Sequence, residues 1–133
     1  MLHTSVSIAT LIYHLTAIMF DFEKFTVYTK SEEYYQIVLK EVFSKKINNN
    51  LRDQLQRAST SILLNIAEWS WKYSKADKKN YYITARWSVF ECVAIIRILK
   101  IEKVISEEVF QKLYNNLEEI GKMLSGLINS LVK

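Results

Sequence analysis

From Val27 onward the apolar side chains recur at alternating steps of three and four, the spacing that keeps one face of an α-helix turned toward a partner. A first helix is predicted from near Val27 to Lys45, with Tyr28, Ser31, Tyr35, Val38 and Val42 on its inner face. Asn48, Asn49 and Asn50, whose side chains favour turns and caps, follow it. A second helix carries Leu51, Leu55, Ala58, Ile62, Ile66 and Trp69 as its apolar seam. Ser74, with Asp77 three residues on, has the form of a capping box for a third helix that continues to about Lys100. Its core side is Tyr81, Ala85, Ser88, Cys92, Ile95, Ile96 and Leu99. Ser106 opens a fourth helix, with Glu107 and Glu108 where the helix dipole favours acids. Its seam is Phe110, Leu113, Leu117, Ile120, Leu124, Leu127 and Leu131. Short connections between helices of this length make neighbours antiparallel. The predicted fold class is therefore all-α, an up-down-up-down antiparallel four-helix bundle over residues 21–133.

Composition agrees with this pattern. Half of the 133 residues are hydrophobic, there is no proline, and glycine occurs only at Gly121 and Gly126, so the turn chemistry of hairpins is almost absent. A single cysteine, Cys92, has no intrachain partner, which makes the cytoplasm the expected compartment. Met1 to Phe20 carry no Asp, Glu, Lys or Arg. As a membrane span this stretch is poor, because His3, Thr4, Ser5, Ser7, Thr10, His14 and Thr16 interrupt it, and as a secretory signal it lacks a basic start. Met19, followed by the charged stretch Phe20 to Thr26, fits as the native start, making the preceding residues an upstream extension. The alternative is an additional helix packed through Leu11, Ile12 and Leu15.

Two surfaces remain once each helix has given one stripe to the core. On the third helix Ile83, Trp87, Phe90, Ala94 and Ile98 lie roughly opposite the core side. Leu63, Leu64 and Trp71 similarly fall outside the seam of the second. A thicker core and a homo-oligomer interface are both open, and the angle between the stripes favours the interface. The charge is also uneven. Ten basic residues lie between Lys40 and Arg86 against four acidic ones, while the whole chain has a net charge of +4. Lys75, Lys79, Arg86 and Arg97 share a narrow arc of the third helix, with Lys72 just upstream. Such a stripe suits the phosphate backbone of RNA or DNA without reading sequence. An ordinary solvated face is the alternative, although repetition around a ring of identical subunits would turn the same charge into a substantial field.

Catalytic chemistry is hard to build from this chain. Both histidines, His3 and His14, lie in the uncharged segment, Glu-x-x-His does not occur, and two isolated glycines make neither a phosphate-binding loop nor a dinucleotide fingerprint. Cys92, on the core side of its helix, reads as an inert buried thiol. No enzyme activity, metal or cofactor is expected. A polar stripe stands apart: Gln54, Arg57, Ser61, Asn65 and Glu68 line one edge of the second helix. It reads as a structural hydrogen-bond network, with Glu68 paired to Arg57 or to Arg86, or else as a ligand site.

The segment from Leu51 to Glu68, LRDQLQRASTSILLNIAE, resembles the signature helix of the four-helix-bundle proteins encoded in intervening sequences of bacterial 23S ribosomal RNA genes. Gln54, Arg57-Ala58, Ser61-Ile62 and Asn65-Ile66-Ala67-Glu68 fall at that family's spacing. Phe25 to Tyr28 with Lys30-Ser31, Ala85-Arg86 with Ser88 and Glu91, and Glu118 to Leu124 with Gly126 to Ile128 and Ser130-Leu131 are similar to its other helices, so the likeness runs from about Phe22 to Lys133. The resemblance implies a homopentameric ring of bundles, no catalysis and a nucleic-acid partner. More distantly it points to accessory proteins of diversity-generating retroelements, and so to a reverse transcriptase as an alternative partner. The chain departs from the pattern at Trp69 and Trp87, where the family has glycine, and lacks the proline before the second helix.

Overall fold

A computed structural model describes residues 8–9, 21–69 and 74–132. Lys72, Trp71, Met19 and nearly all of the uncharged segment lie outside the described residues. A 3-10 turn, Asp21–Lys24, leads into helix α1, Thr26–Ile37, which continues as a π-helical turn over Val38–Val42. Helix α2 is Asn49–Trp69, α3 is Lys75–Ile101 and α4 is Glu107–Val132. Helix α3 packs between α2 and α4, and α1 closes the bundle against α2 and α4. The architecture is the four-helix bundle that the spacing predicts, with no strand among the described residues.

The caps fall where their residue types suggest. Asn48 Oδ1 accepts from the backbone N–H groups of Asn50 at 2.8 Å and Leu51 at 3.3 Å, Ser74 Oγ from Asp77 at 3.0 Å, and Ser106 Oγ from Val109 at 3.1 Å. Helix α3 ends with Lys103 in the left-handed region (φ 62°), while the N–H of Val104 bonds back to the carbonyl of Leu99 at 3.0 Å. Arg52 is withdrawn from the basic surface. Its Nη2 donates to the carbonyl of Phe43 at 2.8 Å and its guanidinium lies 4.8 Å from the Phe43 ring centroid, which clips the α1–α2 connection to α2.

The inner face of α1 differs from the predicted one. Val27, Ser31, Tyr34, Val38 and Val42 are buried, whereas Tyr28 and Tyr35 are half-buried at its sides. Tyr34 rather than Tyr35 enters because its hydroxyl finds a partner inside: it shares a hydrogen bond of 3.0 Å with Ser59 Oγ, which lies 3.6 Å from Cys92 Sγ. The α-helix also stops at Ile37. A π turn replaces its end, and Val38 and Val42, four residues apart, stay buried on the inner face through it. On α3, Tyr82 and not Tyr81 is buried, stacked on Trp69 at 5.3 Å, and on α4 Ile128 is buried while Leu127 and Leu131 are half-buried.

The Tyr34–Ser59–Cys92 thread carries polar groups through an apolar centre. Burial pushes the Cys92 thiol from 9.0 up to about 11, against the lowering influence of Tyr34 and Ser59, and burial likewise holds the Tyr34 hydroxyl well above its ordinary value. For acids raised in this way the unfolded chain loses protons first. The contribution of Cys92 to stability is therefore complete below about pH 9 and is lost as pH rises through about 11. Urea unfolding of the wild type and Cys92→Ala across this window isolates the thiol: the wild type should lose stability more steeply with rising pH, and parallel curves would contradict the raised value.

Candidate nucleic-acid interface

Helix α3 is uninterrupted for 27 residues, so the positions that share an arc in the sequence share an edge in space. Lys75 and Arg97 are exposed, and Lys79 and Arg86 half-buried, along roughly 33 Å of helix at about 1.5 Å per residue. Lys78 lies off this edge, with its ammonium 4.7 Å from the Trp69 ring centroid. Lys100, at the far end, is held by Glu107 at 3.4 Å and by the Phe110 ring at 4.0 Å. Arg86 is the member tied to the bundle. It turns toward α4, where Nη1 donates to Ser125 Oγ at 3.3 Å, and not toward Glu68, one of the two pairings the sequence left open. There it lines a groove of about 530 Å³ with Phe90, Val93, Tyr114, Ser125 and Asn129.

Beside this edge the outer face of α3 carries Trp87, 69% exposed, Phe90, 62%, and Ile98, 41%, with Ala94 also exposed. Ile83 is half-buried and packs against the core. The face extends one turn further than the spacing predicts, to Ile101 at 76% exposure, which lies on the same arc three residues beyond Ile98. On α2, Leu64 is 63% exposed and Leu63 half-buried.

The polar stripe of α2 is brought together only in part. Asn65 Nδ2 donates to the carbonyl of Ser61 at 2.8 Å and to Ser61 Oγ at 3.0 Å, and Ser88 Oγ on α3 donates to Ser61 Oγ at 2.8 Å or to the carbonyl of Thr84 at 3.1 Å. Arg57 and Glu68 stay exposed at the rim. Gln54, Arg57, Ser61 and Ser88 line a shallow cleft of about 170 Å³ together with Glu91, a residue outside the stripe predicted from the sequence. A signal for it exists, since Glu91 follows Ser88 by one turn on the helix that faces the stripe. The dominant content of this region is a hydrogen-bonded contact between α2 and α3.

Among the described residues no group of three or more His, Cys, Asp or Glu side chains is arranged to hold a metal ion, and no helix is long and apolar enough to cross a membrane. What the geometry defines is a four-helix bundle with a cationic edge, a flanking apolar face and a hydrogen-bonded α2–α3 seam. The profile of the 23S rRNA-intervening sequence protein family matches residues 23–126, and the chain belongs to that family. The match ends within α4, short of the Leu127 to Lys133 stretch that the sequence resemblance takes in. Among solved structures, one similar to this chain is a protein of unknown function of the S23 ribosomal protein family from Bacteroides thetaiotaomicron VPI-5482. It is 26% identical, with a TM-score of 0.66 over 77% of this chain and 98% of that one. No curated protein matches the chain.

The α2–α3 contact yields a direct expectation. Ser61→Ala and Ser88→Ala should each destabilise the protein by about 1 kcal/mol, the net worth of a typical internal hydrogen bond. The double variant should cost less than their sum by about 0.5 kcal/mol or more, because the first substitution already removes the shared bond. Strict additivity in urea unfolding would show that the two hydroxyls do not interact.

Proposed function

We propose that this protein is a non-catalytic, self-associating helical bundle of the cytoplasm that binds structured nucleic acid, RNA in preference to DNA, through its phosphate backbone. The observation that carries this reading is the edge of α3, where Lys75, Lys79, Arg86 and Arg97 follow one line of the helix. Phosphates spaced along a strand suit a row of cations, and the release of counterions supplies the affinity without base reading. Membership of a family described by 23S rRNA intervening sequences favours RNA. Self-association rests on Trp87, Phe90, Ile98 and Ile101, an exposed apolar and aromatic set of the kind that interfaces cover. A ring of copies, a pentamer by the family resemblance, would repeat the cationic edge once per subunit. The same apolar face supports a second reading, an adaptor that docks a protein partner such as a reverse transcriptase.

Changing Lys75 and Lys79 together to Glu tests the leading reading. Neither side chain belongs to the buried core, so the fold should persist. Binding to ribosomal RNA fragments and to unrelated RNA should weaken alike. The log-log dependence of affinity on salt should become shallower by about 0.7 to 0.9 for each phosphate that is no longer neutralised. A parent protein with no affinity for RNA or DNA at low salt, or a double variant that binds as tightly as the parent, would overturn it in favour of the adaptor.

A further inference from the structure

The groove between α3 and α4 contains a positive charge that no described carboxylate neutralises. Arg86 gives Nη1 to a neutral hydroxyl, Ser125 Oγ, and its Nε is shielded from solvent without a hydrogen-bond acceptor. Among the described residues no carboxylate stands within ion-pair distance of it. Glu118, the acid of the groove, is engaged by Lys122 at 3.6 Å. A partly desolvated guanidinium in largely apolar walls favours an anion beside it. The remaining surfaces of the groove specify more than a bare anion. Phe90, Val93 and Tyr114 offer flat, apolar and aromatic wall, Ser125 and Asn129 offer polar atoms, and about 530 Å³ is a volume suited to a small molecule.

We infer that this groove is a subsite for one unstacked nucleotide of bound RNA, with its phosphate against Arg86 and its base on the Tyr114 side, away from the outer face that Phe90 borders. The inference rests on the nucleic-acid reading for the source of that nucleotide. Charge complementarity selects the occupant. Lys75 and Lys79 continue the line of Arg86 along α3, so the approach suits a chain of phosphates; a single protein carboxylate would use Arg86 alone. Aromatic wall beside a cationic track is the combination that holds single-stranded segments and loops, whose bases are free to leave the stack. On α3, Phe90 lies between the line of Arg86 and Val93 and the line of Trp87 and Ala94, so the groove borders the apolar outer face instead of lying beneath it.

The test uses the full chain, with 5′-AMP, inorganic phosphate and adenosine as separate calorimetric probes and a single-stranded RNA oligonucleotide in parallel. Arg86→Gln removes the charge, and Ser125→Phe fills the groove while keeping it; circular dichroism confirms helix content. The wild type should bind AMP more tightly than phosphate or adenosine. Both variants should lose AMP affinity at least tenfold, and RNA affinity severalfold but not entirely, because Lys75 and Lys79 remain. No AMP binding by the wild type, or AMP binding untouched by both variants, overturns the subsite, and RNA binding that persists then leaves the backbone reading standing. AMP binding in the groove without any RNA binding overturns RNA as the source and the proposed function with it.

Discussion

The register between α2 and α3 determines where every other feature of the molecule falls. Along a seam made otherwise of Leu55, Ala58, Ile62, Ile66 and their partners, apolar packing alone would tolerate a slide of one turn. The hydroxyl pair Ser61–Ser88 at 2.8 Å and the Tyr34–Ser59–Cys92 thread would not, since a slide leaves buried donors and acceptors unmet. Ser88 and Cys92 are thereby fixed inward, and the geometry of a helix then fixes the rest of α3. Trp87, Phe90 and Ile98 must face away from the core, and Lys75, Lys79 and Arg86 must lie along the side next to α4.

Much of this was legible in the sequence because it depends on period alone. The seams of α2, α3 and α4, the caps at Ser74 and Ser106, and the exposure of Trp87, Phe90 and Ile98 all follow from residue type and a 100° step. Two of the misses share a form. Tyr34-Tyr35 and Tyr81-Tyr82 are adjacent identical pairs, and periodicity with a tolerance of one position accommodates either member. Tertiary partners choose between them: Ser59 draws in the Tyr34 hydroxyl, and Trp69 stacks on Tyr82. The π turn at Val38–Val42 is invisible to any fixed period.

The candidate site was legible only as a line of charges. That Arg86 turns to Ser125 depends on α4, 39 residues distant in sequence, and no local pattern announces it. The same holds for Glu91, which joins the α2 stripe only through the packing of α3 on α2. Trp69 shows how a departure from the family pattern is absorbed: its ring sits edge-on to Phe25 at 4.7 Å, stacks on Tyr82 and receives Lys78, so the bulky side chain is built into one end of the bundle. Trp87, the other departure, has no such reception among the described residues and stands 69% exposed.

Helix α3 thus has two apolar faces and one bundle to bury them in. The proposed self-association would cover the outer face with further copies of the chain and repeat the cationic edge once per subunit. Static light scattering of the full chain at micromolar concentration, beside Trp87→Glu, measures this most directly. The wild type should have a mass that is a multiple of 15.7 kDa, and the variant should fall toward 15.7 kDa with its helix content retained. A wild-type mass of 15.7 kDa would contradict self-association through α3.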